Sequence, residues 1–206
     1  MNTFWIPAVF FILYGCQFSE TASNNADGTR SSGKSLLSGE IIKEPEIGTA
    51  LDSLNGVPVY YNGLDYTLGY GKHFAKDRYY YGQKWQCVEF VKRYYHDHYQ
   101  HKMPNVYGHA KDFFSPQISH GQLNPDRDLV QFYNGKETKP RIGDLVVFQN
   151  STYGHVAIIA KVENSFVELI QQNILGKPRE RLPFTQKNNK YIIGNSYQPV
   201  GWLRKK

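Results

Sequence analysis

The chain has 206 residues, room for one domain and a tail rather than several domains. A hydrophobic share of 40% against 20% charged excludes an intrinsically disordered chain, and two cysteines exclude a disulfide framework beyond a single bridge. The net charge of +6 is dispersed, with no long Lys/Arg run, which argues against a dedicated nucleic-acid binder and reads as charge that aids solubility.

Residues 4–14 form an apolar run, FWIPAVFFILY. A bilayer-spanning helix needs about 20 residues, so the run fits the core of a secretory signal instead. It ends in Leu13-Tyr14-Gly15-Cys16, which resembles the lipobox of bacterial lipoproteins, where the Cys is lipidated and becomes the first residue. Tyr14 is bulky where a small residue is usual, and no Lys or Arg precedes the run. The alternative is an ordinary signal peptide with a chance Cys. The expectation is a lipoprotein-type signal peptide over 1–16 and an exported chain, held at the membrane through a lipid on Cys16 and facing the periplasm or cell envelope. Residues 17–50 are polar, rich in Ser, Asn and Gly near their start, and read as a linker. The domain is expected over 51–206.

Within the domain, residues 57–63 read as a short strand closed by an Asn62-Gly63 turn. Residues 66–81 are aromatic and Gly-punctuated, and read as a long loop. From Cys87, apolar groups recur at Phe90, Val91, Tyr94 and Tyr95, which is helical spacing and predicts a helix to about Gln100, ending before Pro104. Residues 103–141 read as loops with a short helix around 109–114. Strands follow at 143–149, 154–162 and 165–172, with one or two more in 191–204. Helix first, then consecutive strands with short connections, implies an α+β fold with an antiparallel sheet.

Cys87 stands at the predicted helix start, where unpaired N–H groups and the helix dipole favour thiolate. On that position alone a nucleophile and a buried core cysteine are equally consistent. His155 opens the strand after Gly154, near a sheet rim. A two-residue turn at Glu163-Asn164 would pair Val162 with Ser165 and set His155 opposite Gln172, which would orient the imidazole as a third residue does in a triad. Asn173 is the alternative if the register shifts.

The segment 81–94, YGQKWQCVEFVKRY, resembles the nucleophile helix of CHAP domains, and in particular that of the amidase domain of glutathionylspermidine synthetase/amidase. Gly143-Asp144-Leu145, the GHVAII stretch at 154–159, Gln172-Asn173 and Gly201-Trp202 match in the same order. The resemblance implies a papain-like (NlpC/P60-type) fold with N-terminal helices packed on an antiparallel sheet. It implies Cys87 as nucleophile, His155 as base and acid, and Gln86 with the Cys87 N–H as the oxyanion hole. The third position is usually acidic in such relatives; Gln172 there implies reduced or differently tuned activity. Lys92-Arg93 stands where two arginines are expected to meet substrate, and Lys does not reproduce a bidentate Arg contact.

Three histidines near the helix end, His96, His98 and His101, read as a polar last turn rather than a metal site, since metal sites recruit ligands from several elements. Asp144 reads as shaping a turn. The function expected is cysteine-dependent hydrolysis of an amide through a thioester, with no metal or organic cofactor. The expected partner is a peptidoglycan peptide or a small amide such as glutathionylspermidine. A non-catalytic envelope-binding module on the same fold is the rival. Mass spectrometry of the mature N-terminus is expected to show a lipidated first residue at Cys16; an unmodified chain starting elsewhere overturns the anchor.

Overall fold

The structure is a computed structural model that describes residues 44–206; Cys16, the signal segment and most of the linker lie outside the described residues. Strands β1 (Ala50–Leu54) and β2 (Val57–Tyr60) form a hairpin. Its turn is Asn55-Gly56, at φ of 50° and 80°, the left-handed pair a tight hairpin turn requires. The Asn-Gly pair at 62–63 is therefore not the hairpin turn. Order begins before the expected domain start: the Gly48 N–H donates to the Tyr61 carbonyl at 2.9 Å and the Tyr61 N–H to Thr49 at 2.8 Å. Residues 66–81 also hold more structure than expected, since β3 (Lys72–Phe74) pairs with β4 (Tyr80–Gln83). Strands of three and four residues are too short to show a period in sequence.

Helix α1 (Cys87–Tyr99) matches its predicted bounds and ends at Gln100, whose φ of 52° is left-handed and whose N–H bonds the Tyr95 carbonyl. Its buried face is the predicted one: Phe90, Val91, Tyr94 and Tyr95 are sealed from solvent. Fully burying a side chain such as Phe90 or Val91 is worth about 1.5–3 kcal/mol.

The remaining strands form one sheet. They are β5 (Gln122–Asn124), β6 (Leu129–Tyr133), β7 (Leu145–Phe148), β8 (His155–Val162), β9 (Phe166–Ile170), β10 (Arg179–Lys187), β11 (Lys190–Ile193) and β12 (Gly201–Arg204). The order is β11-β10-β9-β8-β7-β12-β6-β5, antiparallel throughout. Three strands, β5, β6 and β10, fall where loops were expected or nothing was assigned. In β10 the buried Leu182 and Phe184 alternate with polar residues, but Pro183 between them masks the pattern. Val156, Ile158 and Ile170 pack toward α1, while Ala157, Ile159 and Leu169 fill a second cluster with Trp202. The α+β class with an antiparallel sheet holds. The expected N-terminal helices do not: among the described residues the helical layer is α1 alone, joined by a single 3-10 turn at Ala110–Phe113.

One carboxylate ties α1 down. Glu89 has no exposed surface, and its oxygens accept from Arg93 Nε at 2.6 Å, His73 Nδ1 at 2.8 Å and Gln172 Nε2 at 2.7 Å. Burial alone would raise its pKa; His73, Arg93 and Gln172 outweigh it and hold the carboxyl below its ordinary range. Its contribution to stability is therefore complete above pH 4.5 and is lost as the pH falls through the lower folded pKa. Glu89→Ala leaves Arg93 buried without its partner and is expected to destabilise the domain by about 3–5 kcal/mol. Urea unfolding at pH 7 measures this; a loss under about 1 kcal/mol, the size of an exposed pair, overturns the account.

Candidate active site

Cys87 is the first residue of α1. Gln86 before it is extended, at φ −76° and ψ 158°, and its side chain does not cap the helix. The thiol is almost wholly enclosed, and the N–H groups of Val156, Val88 and Cys87 itself point toward Sγ. Burial pushes the thiol up to about 11; the three amides pull the other way without reversing it. The helix start was expected to lower this pKa. Enclosure against β8 is the term that wins.

His155 is the first residue of β8, opposite Phe148 on β7. Gly154 delivers the chain to it at φ +72°, and a Cβ there would lie 2.6 Å from the Lys111 nitrogen and the Phe148 oxygen, so only glycine fits. His155 Nε2 lies 3.0 Å from Gln171 Oε1, and burial lowers the imidazole to about 4, with the Gln171 bond opposing. At neutral pH the site therefore holds a neutral thiol and a neutral imidazole.

The glutamine that meets His155 is Gln171, not the expected Gln172. The turn after β8 is wider than two residues: Val162 pairs with Val167, and the Glu163 N–H donates to Phe166. A bulge between Ile159 and Lys161 then moves the register again, so Ile159 faces Leu169 where the tight turn would have set Glu168. The net displacement is one residue, which exchanges the two faces of the strand. Gln171 meets the imidazole, and its Nε2 donates to Glu180 Oε2 at 3.3 Å and to the Lys177 carbonyl at 3.4 Å. Gln172 turns to the helix side. There it donates to Glu89 and to the Gln86 carbonyl, and accepts from the Tyr60 N–H at 2.7 Å.

Cys87 and His155 line one cleft of about 940 Å³. The tyrosines Tyr66, Tyr80, Tyr107, Tyr153 and Tyr197 surround it, and no Asp, Glu, Lys or Arg is among its described lining residues. No hydrogen bond joins the Cys87 thiol to the His155 imidazole. In unliganded sites such catalytic bonds are often long and tighten when substrate binds.

The other residues singled out by sequence divide. Gln86 and Asn173 both reach the cleft, but as a tether. Gln86 Nε2 donates to the carbonyls of Leu68 at 2.6 Å and Tyr66 at 3.3 Å, so both its hydrogens are engaged and it is not an open oxyanion donor. Asn173 Nδ2 donates to Gln86 Oε1 at 2.6 Å, and Asn173 Oδ1 accepts from Asn62 at 2.7 Å. Lys92 and Arg93 do not meet the cleft. Lys92 Nζ donates to the Val106 carbonyl at 2.8 Å beneath Tyr79 and Tyr80, and burial lowers it to about 7. Arg93 bonds Glu89 and the Pro58 carbonyl. The three histidines at the helix end have separate partners: His96 with Asp77 and Asp97, His98 with Asn55, and His101 with the Arg127 carbonyl. Asp144 accepts from the Arg141 N–H and pairs with Arg204 at 2.7 Å, a turn-shaping role. Sequence reasoning missed Gln171, Glu180 and Asn62. Gln171 was legible as one of two adjacent glutamines, but choosing between them needed the bulge.

A thiol at a helix start and a histidine at the rim of an antiparallel sheet, lining one cleft, form an arrangement that fits a papain-like fold. Comparison with known families gives a particular match: the CHAP domain, a family of hydrolase and amidase character, matches residues 78–173. The chain is 28% identical over 139 residues to the bifunctional glutathionylspermidine synthetase/amidase of Escherichia coli (strain K12), covering 60% of this chain and 22% of that protein. The same figures hold for the Shigella flexneri protein of that name. Trypanothione synthetase of Crithidia fasciculata is 28% identical over 120 residues, covering 57% of this chain and 18% of that protein. The chain thus spans about a fifth of the length of the curated relatives it matches.

With the thiol at about 11, the rate of Cys87 alkylation by iodoacetamide is expected to rise about tenfold per pH unit from pH 6 to 9, following the thiolate fraction. A plateau below pH 8 overturns the neutral resting site.

Proposed function

We propose that the domain hydrolyses an amide bond through a thioester on Cys87. The observation that carries this reading is the single cleft lined by Cys87 and His155, with His155 Nε2 engaged by Gln171 and Nδ1 left to act. Nδ1 takes the thiol proton as Sγ attacks the substrate carbonyl carbon. Because both groups start neutral, proton transfer accompanies attack rather than preceding it. The Cys87 N–H, with no acceptor within the helix, donates to the oxyanion. Collapse expels the amine, which takes the proton from the imidazolium. Water, activated by His155, then adds to the thioester, releases a carboxylic acid and restores the thiol. The steps balance with water as the one co-reactant.

We further propose a cell-envelope peptide as substrate, in first place a stem peptide or cross-bridge of peptidoglycan. Three features support it. The N-terminal segment reads as an export signal with Cys16 as a lipid-anchor site. The cleft offers flat tyrosine surfaces, which suit stacking and shape recognition. Among the described residues it also offers no carboxylate to pair with the ammonium groups of a spermidine amide, the chemistry named in the relatives.

Purified full chain and its Cys87→Ala variant, incubated with peptidoglycan fragments and with glutathionylspermidine, test both levels by mass spectrometry. The expected result is cleavage of a peptide amide by the native chain, slow or absent cleavage of glutathionylspermidine, and no turnover by the variant. Equal turnover in Cys87→Ala overturns the mechanism. Preferential cleavage of glutathionylspermidine overturns the substrate.

A further inference from the structure

We propose that Glu180 is a positioning residue that sets the tautomer of His155 through Gln171. The assignment rests on the reading of His155 as the base.

A carboxamide has nearly the same outline either way round, yet its orientation decides where the imidazole carries its hydrogen. With Gln171 Oε1 toward His155, Nε2 of the ring must be the donor, and Nδ1 keeps the lone pair that accepts the thiol proton. With the amide reversed, its NH₂ would donate to Nε2, Nδ1 would carry the hydrogen, and the nitrogen assigned above to the thiol proton would have no lone pair to accept it. The contact between His155 and Gln171 does not choose between these by itself.

The far end of the amide chooses. Gln171 Nε2 lies 3.3 Å from Glu180 Oε2 and 3.4 Å from the Lys177 carbonyl. A carboxylate and a carbonyl only accept, so reversal would set Oε1 against two oxygens. Of the two, the carboxylate is the charge-assisted and stronger partner. Its position is built into the sheet. Glu180 pairs with Leu169 across β9, two residues before Gln171 on the same side of the strand. The preceding Arg179 is anchored to Asp52 at 2.7 Å and to Glu168 at 3.2 Å. The acidic group that the resemblance expects at the third position thus acts from one strand further out, through a neutral amide. Hydrogen bonds in such a chain polarise one another, so the carboxylate also makes Gln171 Oε1 a better acceptor.

Long-range ¹H–¹⁵N NMR of the imidazole in the full chain at pH 7 reads the tautomer directly and needs no substrate. The native chain is expected to show Nε2–H. Glu180→Lys places a pure donor at the far end and is expected to turn the amide, shift His155 to Nδ1–H and lower kcat/KM at least about tenfold, since a wrong tautomer disables a triad. Glu180→Gln still accepts through its own Oε1 and is expected to keep Nε2–H with kcat/KM within about threefold, a span of about 0.7 kcal/mol. Glu180 is exposed on the outer side of the site, so neither change disturbs the core. Nε2–H persisting in Glu180→Lys, or lost in Glu180→Gln, overturns the proposal. A tautomer switch in a chain that cleaves no amide refutes the hydrolase reading alone; an active chain with no switch refutes the Glu180 assignment alone.

Discussion

A carboxylate with no exposed surface sits two residues after the thiol, and the geometry of the site follows from where it is held. Glu89 gathers Arg93 from its own helix, His73 from β3 and Gln172 from the end of β9. Arg93 carries the connection on to the Pro58 carbonyl in β2. One buried charge thereby joins the first turn of α1 to three other elements. Apolar packing holds α1 against the sheet, but such packing is non-directional and tolerates sliding. The hydrogen-bonded charge does not, because any displacement strands an ion away from water. The rotation of α1, and so the point at which Sγ meets β8, is specified by polar contacts beneath the helix.

A second set of polar contacts shapes the cleft and keeps charge out of it. Asn62, Asn173 and Gln86 form a chain of side-chain amides that ends on the carbonyls of Tyr66 and Leu68, so the loop that carries Tyr66 is tied down. On the opposite wall, Lys92 holds the Val106 carbonyl, and Arg127 donates to the carbonyls of Asn105 and Tyr107. Both basic side chains face into the wall and bond backbone oxygens there. The described cleft lining combines tyrosines and amides with Cys87, His155, His109, two hydroxyl residues and apolar side chains.

Enclosure also sets the electrostatics of the pair. A thiol at about 11 beside an imidazole at about 4 is the reverse of a preformed ion pair. Each group is neutral because burial penalises its charged form, and neither has a full charge nearby to offset that. Under the proposed mechanism, charge separation becomes favourable when a substrate carbonyl accepts the electrons. The Glu180–Gln171–His155 chain fits this state, since a neutral base depends on its tautomer more than an imidazolium does.

Much of the fold was legible because it rests on local patterns. The period of Cys87, Phe90, Val91, Tyr94 and Tyr95 marked α1 nearly to its last residue, and the apolar runs at 145–148 and 155–162 marked β7 and β8. The short strands β3 and β5 carry too few residues for a period, and Pro183 concealed β10. The cleft pair, Cys87 and His155, was legible from chemistry and order along the chain. Its supporting residues were not. Gln171 and Gln172 are identical in composition and adjacent in sequence, and their opposite roles follow from one bulge between Ile159 and Lys161. Lys92 and Arg93 were expected as substrate contacts from the resemblance; their partners, Val106 and Glu89 with Pro58, turn them into the protein. The sequence by itself determined the class of fold, the helix that begins at Cys87 and the strand that begins at His155, since those depend on periodicity and on turn residues. Tertiary structure alone decided which amide meets the imidazole, which charges are buried and whether the thiol rests neutral, because register, burial and long-range pairing depend on residues far apart in the chain.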